Sequence, residues 1–255
     1  MIAILNAVFT NAQILSWAWR LPFLISVLLI IVGFYLRITL VETTIFNSVK
    51  ERLASPIKYV FQHEKLNMLK ILLFMISIAI PYYTVNVFLT VYLTSFLKIS
   101  FATALQLSLF GITVFMLLIP LFGLLVDRLG RKKQSILAGI ALVIFVYPIY
   151  MLFNSKVMEF MLLGQGIFAT LLSAYVAVSP AFIAEQVGTK ARYTALAIPL
   201  NFAFAIFGGT APLVNIWLIT KLHTTFAPSY FIALAAILGI VISFTMKDKT
   251  NQALE

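Results

Sequence analysis

Long apolar runs divided by short polar segments set the plan of this chain. Residues 20–41, 67–97, 102–126, 134–153, 157–184, 194–220 and 229–246 are each mostly apolar. Each is long enough to cross a bilayer, because about 20 helical residues at 1.5 Å rise match the hydrocarbon thickness. A helix is the one single segment that satisfies its own backbone in lipid. The pattern therefore predicts an all-α polytopic membrane protein with seven complete transmembrane helices. Residues 1–12 hold a run about half a span long and read as the remnant of a helix. Residues 11–19 read as a short loop that leads into the first complete span, so that 13–41 form one piece. Residues 42–66 read as a polar linker, 67–246 as a six-helix bundle and 247–255 as a tail. Residues 67–97 exceed one span, and Pro81 inside them predicts a kink.

Composition agrees with the pattern. Of 255 residues, 62% are hydrophobic and 10% charged, far from the balance of a soluble domain. Mean hydropathy is +1.06. The net charge of +10 would suit a nucleic-acid partner, but its distribution points elsewhere. Among the 18 Lys and Arg, only Arg20, Lys98, Lys156 and Lys221 fall on one side of the alternating spans. The remainder fall on the other, which the bias of cations toward the cytoplasm identifies as the inner face. The expected placement is the inner (plasma) membrane, multi-pass, with the C-terminus cytoplasmic and no nucleic-acid partner. Cysteine is absent, which excludes a disulfide framework and cysteine metal sites. No cofactor or metal is expected.

Between two spans lies Leu125-Val126-Asp127-Arg128-Leu129-Gly130-Arg131-Lys132-Lys133. A tight turn at the membrane face with this charge order resembles the signature loop of the major facilitator superfamily, which joins the second and third helices of each six-helix half. Trp17-Ala18-Trp19-Arg20-Leu21-Pro22-Phe23 resembles the start of the sixth helix in the metabolite:proton symporter branch of that superfamily. Leu36-Arg37 with Glu42-Thr43-Thr44-Ile45-Phe46 is similar to the exit of that helix into the central loop. Residues 185–195, from Glu185 to Arg192-Tyr193-Thr194-Ala195, are similar to its turn between the tenth and eleventh helices, with Val187-Gly188 where Phe-Pro is usual. Met246-Lys247-Asp248 resembles the ending of the branch.

The likeness within the branch is to proline/betaine symporters, and it covers only the second half of the family's fold. It implies the sixth helix and the C-terminal six-helix bundle of a secondary active transporter, N-terminally truncated. The implied activity is alternating-access symport of a small osmolyte or metabolite with protons. Such a half is expected to be inactive alone, or to work with a separate chain supplying the N-terminal half.

Two groups of residues carry the expected chemistry. Asp127, Arg128, Gly130 and Arg131 on one turn, with Glu185 and Arg192 on the other, form a candidate cytoplasmic gate. The expectation is that Glu185 pairs with Arg128 or Arg131. The alternative is a set of solvated loop charges worth about 0–1 kcal/mol. Tyr82, Asn86 and Thr90 share a helical face by their spacing of four, beside Tyr83. With Tyr175 and Asn201 they are the candidate substrate-cavity residues. Polar groups in a span face protein or a cavity, and aromatic rings can box a quaternary ammonium by cation–π attraction. The simpler reading is that they bond neighbouring helices. All 8 acids (Glu42, Glu51, Glu64, Asp127, Glu159, Glu185, Asp248, Glu255) and both histidines, His63 and His223, lie in loops or at span ends. A coupling carboxylate would then belong to the other half.

Two other classes fit less well. A retinal-type seven-span pump or receptor would need a lysine in its last span, and residues 229–246 have none. A membrane enzyme would need clustered acids, histidines or a nucleophile beside its base. The spans hold no such cluster, so the protein is not expected to be an enzyme.

Overall fold

A helix buries its backbone polarity within itself, and proximity to that limit shapes each segment. A computed structural model of the chain describes Leu5, residues 8–39 and residues 55–250. The Glu42–Phe46 stretch of the sequence likeness and half of the 1–12 remnant lie outside the described residues. Among the described residues, seven helices are long and apolar enough to cross a membrane, as the runs predict. The chain divides into two units, residues 1–50 and residues 51–255.

In the first unit, residues 11–19 are not the loop that was expected. Asn11–Ser16 forms a short helix, α1, because Thr10 and Gln13 make a reciprocal capping box. The Gln13 amide donates to Thr10 Oγ1 at 3.4 Å, and the Thr10 amide donates to Gln13 Oε1 at 3.0 Å. Two orphan amides are satisfied this way. The first span, α2 (Ala18–Thr39), opens with one 3-10 turn, Ala18–Arg20. The Arg20 guanidinium sits 4.8 Å from the Trp19 ring centre and donates to Ser16 O at 3.0 Å. That pairing of cation and indole suits the membrane interface.

The second unit begins earlier than residue 67. Within the segment read as a linker, Pro56–His63 forms α3, capped by Ser55, with Pro at its start. Val60 on it is fully buried, so this helix packs rather than lies free. The spans follow as α4 (Lys65–Phe96), α5 (Phe101–Leu129), α6 (Arg131–Asn154), α7 (Met158–Ala184), α8 (Thr189–Leu222) and α9 (Ala227–Thr245).

The two most enclosed spans organise the bundle. α7 packs chiefly on α5 and α6, while α4 packs on α8 and α9, and α9 closes onto α6. Lipid is as apolar as leucine, so close packing and hydrogen bonds must hold these helices, and small residues mark the crossings. A Cβ on Gly139 would fall 2.7 Å from Ile240, and one on Gly208 would fall 2.8 Å from the Tyr83 ring. Polar side chains join the same pairs. Ser135 Oγ meets Ser243 Oγ at 2.8 Å, and Gln134 Nε2 donates to Ala174 O at 3.1 Å. Such a bond contributes about 0.6–2 kcal/mol in a bilayer.

The kink expected at Pro81 takes a particular form. α4 widens into π-helix at Thr84–Phe88 and again at Tyr92–Phe96, and α8 does so at Ala203–Gly208. Pro81 and Pro199 precede two of these segments by about a turn. A proline removes one ladder bond and crowds the carbonyl a turn earlier, and widening relieves both.

Candidate functional site

Two places gather the chemistry, one at an end of the bundle and one midway along α4. At the end, Val126 and Gly130 close α5, and Gly130 opens α6 with φ of 88° and ψ of 144°. That conformation belongs almost wholly to glycine, so the turn between the two spans can be a single residue. The turn delivers Arg131 to Glu185, which caps the last residues of α7. The Arg131 guanidinium Nη1 donates to Glu185 Oε1, and Nη2 lies 3.9 Å from Asp127 Oδ1. The side chain of Glu185 is 3% exposed and that of Arg131 16%, so this pair is largely withdrawn from water. Of the two arginines proposed to meet Glu185, Arg131 does so. Arg128 is exposed and enters neither ion pair. Arg192 donates from Nη2 to Val187 O at 3.4 Å, within its own turn.

Burial pushes the Glu185 carboxyl above its ordinary range, against the opposing pull of Arg131 and the Lys249 amide. Asp248 is shifted the other way. Burial opposes its ionisation, but hydrogen bonds from Thr250 and the Lys132 amide, with Arg131 nearby, hold it below the ordinary carboxylate range.

Sequence reasoning missed the residues that complete this cluster. Gln186 is 8% exposed, and its Nε2 donates to Lys247 O at 2.8 Å while its Oε1 accepts from Lys247 N at 3.0 Å. Lys132 Nζ donates to Phe244 O at 2.7 Å and Met246 O at 3.3 Å. The likeness of Met246-Lys247-Asp248 to a family ending was the one sequence signal for them. A second missed cluster lies at the far end of α6. Asn154 Nδ2 donates to Tyr92 Oη at 2.8 Å, Thr225 Oγ1 donates to Asn154 Oδ1 at 2.6 Å, and Tyr92 Oη donates to Thr225 O at 3.0 Å. This ties α4, α6 and the turn before α9 together.

Midway along α4, the expected polar face is only partly assembled. Tyr82 lies edge-on to Tyr83, Phe115 and Phe204, with ring centres 6.0, 5.9 and 6.2 Å away. Phe115 of α5 and Phe204 of the widened part of α8 thereby join the candidates. Asn86 Nδ2 donates to Tyr82 O at 3.1 Å, within its own helix. Thr90 bonds Ser108 of α5 at 3.0 Å. Tyr175 is fully buried and bonds Ser77 at 2.6 Å, a helix-joining contact of α7 with α4. Asn201 is exposed and bonds only Ala197 O, 2.8 Å away. Among the described residues, no group of three His, Cys, Asp or Glu side chains is gathered that could hold a metal ion.

No protein-family model matches the chain. Individual relatives do. A protein described as a putative proline/betaine transporter of Staphylococcus haemolyticus (strain JCSC1435) is 31% identical over 249 residues, covering 95% of this chain and 52% of the relative. The proline/betaine transporter of Escherichia coli (strain K12) is 29% identical over 268 residues, covering all of this chain and 53% of the relative. The glycine betaine/proline/ectoine/pipecolic acid transporter OusA of Dickeya dadantii (strain 3937) is 28% identical over the same extent of this chain. The chain spans about half the length of the curated relatives it matches. Along its whole length the chain is homologous to proteins named as proline/betaine transporters, over about half of theirs, in agreement with the major facilitator resemblance of its sequence motifs.

Proposed function

We propose that this chain is the C-terminal half of a symporter that moves a small zwitterionic osmolyte, of the proline or betaine kind, together with protons. The observation that carries the reading is the homology of the entire chain to proteins named for those solutes, over half their length. Alternating access in such carriers works by rocking one bundle against another around a midplane site. In this reading, residues 51–255 provide one bundle, and a separate chain or segment supplies the other. The Arg131–Glu185 pair lies at the inner face and opens when that face opens. Asp127, Arg128, Gly130 and Arg192 shape and border the same turns. Tyr82, Tyr83, Asn86 and Thr90 border the solute path at the middle of α4, where Tyr82 stands among three other aromatic rings. Tyr175 joins α7 to α4 through Ser77, while Asn201 bonds its own helix and stays exposed on α8.

The test is uptake of radiolabelled proline and betaine by cells lacking their own osmolyte transporters. The chain alone is expected to insert and to accumulate nothing. Co-expression with a chain bearing the first five spans of a relative is expected to restore uptake driven by a proton gradient. Proton-dependent accumulation by the purified single chain in liposomes would refute the half-carrier reading.

A further inference from the structure

Gly130 leaves the start of α6 without a local cap. It has no side-chain oxygen to offer the first free amides of the helix, which Ser, Thr, Asp or Asn would provide. The first two of those amides are occupied all the same. The Arg131 amide donates to Thr250 Oγ1 at 3.1 Å, and the Lys132 amide donates to Asp248 Oδ2 at 3.3 Å. A carboxylate there also meets the positive end of the helix dipole. The caps arrive from beyond α9, across more than a hundred residues of chain.

The same short segment grips the end of α7. Gln186 holds both backbone groups of Lys247, and the Lys249 amide donates to Glu185 Oε2 at 3.4 Å. Both carboxylate oxygens of Glu185 are therefore engaged, one by Arg131 and one by this segment. Met246 anchors it, at 2% exposure, and Lys132 Nζ covers the last carbonyls of α9.

We propose that residues 246–250 are a clasp that positions Arg131 and Glu185 for each other, with Asp248 and Gln186 as its two positioning residues. Asp248 fixes where α6 begins, and so where the Arg131 guanidinium stands. Gln186 and the Lys249 amide fix the Glu185 carboxylate. Without the clasp, the ion pair would rest on one flexible guanidinium beside an uncapped helix. The significance of the clasp for transport rests on reading this end as the face that closes, but its existence does not.

The test uses the full chain in lipid nanodiscs and does not read uptake, so failure of the transport reading leaves it intact. Amide exchange is followed at Arg131, Lys132 and Lys249. Glu185 is followed by the carboxyl infrared band that Glu185→Gln removes. The charged groups facing Glu185 are Arg131 from α6 and Asp248 from the clasp. Asp248→Ala is expected to speed exchange roughly fivefold, the effect of losing a cap of about 1 kcal/mol. It should also lower the pH at which the Glu185 band titrates, as water reaches the carboxyl. Asp248→Asn removes the charge but keeps a capping oxygen, and is expected to restore slow exchange. Both variants lose the Asp248 charge that raises the Glu185 carboxyl, so the alanine should lower the Glu185 titration beyond the asparagine. Unchanged exchange in Asp248→Ala would overturn the proposal. So would faster exchange with a Glu185 band no lower in the alanine than in the asparagine variant, or an Asp248→Asn variant that exchanges as fast as the alanine.

Discussion

At the scale of single residues, the Arg131–Glu185 pair should respond unequally to loss of its two members. Arg131→Gln leaves a carboxylate that is 3% exposed with only the Lys249 amide on its second oxygen. It is expected to destabilise the bundle at neutral pH by about 3 kcal/mol, the usual cost of an orphaned buried charge. Glu185→Gln leaves Arg131 near Asp127 and keeps a neutral side chain of the same shape, so it should cost less than about 1 kcal/mol. Unfolding in mixed micelles measures both, and equal losses would contradict the argument. The pH dependence has a definite sign. The folded Glu185 carboxyl binds its proton more readily than the ordinary value of 4.5. Its contribution is therefore fully present below about that pH and is lost as pH rises through the elevated value. Acidification should accordingly relieve the Arg131→Gln defect. A different residue tests packing. A Cβ on Gly239 would fall 1.7 Å from Tyr175 Oη and 2.4 Å from Ser77 Oγ. Gly239→Ala should cost about 1–3 kcal/mol, and Tyr175→Phe in the same chain should return part of it.

At the scale of elements, the spans were legible because bilayer thickness fixes how long an apolar run must be. The details that escaped are those where local signals compete with tertiary ones. Thr10 and Gln13 have the spacing of a capping box, yet the polar run around them read as a loop. Pro81 correctly marked a distortion, but whether a helix kinks or widens depends on what α8 offers across the crossing, where Tyr83 settles on Gly208. The choice between Arg128 and Arg131 turned on which residue Gly130 places first in α6. That glycine makes its own prediction. Gly130→Ala forces a side chain into a conformation that costs of order 1–3 kcal/mol, and its Cβ would lie 3.3 Å from Asp248 Oδ2. The variant should lower the thermal midpoint of the bundle, and an unchanged midpoint would mean that the turn can be made another way. Of the clasp, only the likeness of Met246-Lys247-Asp248 to a family ending was legible, because no propensity links Lys132 with Asp248, 116 positions apart.

At the scale of the whole molecule, the distribution of cations predicts which ends meet the cytoplasm. Single cysteines replacing Lys132 and Lys156 in this cysteine-free chain should react oppositely with an impermeant maleimide in intact cells. Lys156 is expected to label and Lys132 to be protected, and the reverse pattern would invert the orientation. The bundle is bonded at both extremities, by Asn154 with Tyr92 and Thr225 at one and by the clasp at the other. Between them, α4 and α8 carry their widened turns. The clasp also has a consequence for biosynthesis. Helices enter the membrane in order as the ribosome makes them, but the residues that cap α6 and hold the end of α7 are translated after α9. The turns at Gly130 and Glu185 must therefore wait, half-finished, until residue 250 has emerged. That end of the protein is completed only after elongation has passed it, and a ribosome stalled within α9 would leave the spans already inserted with an unfastened face.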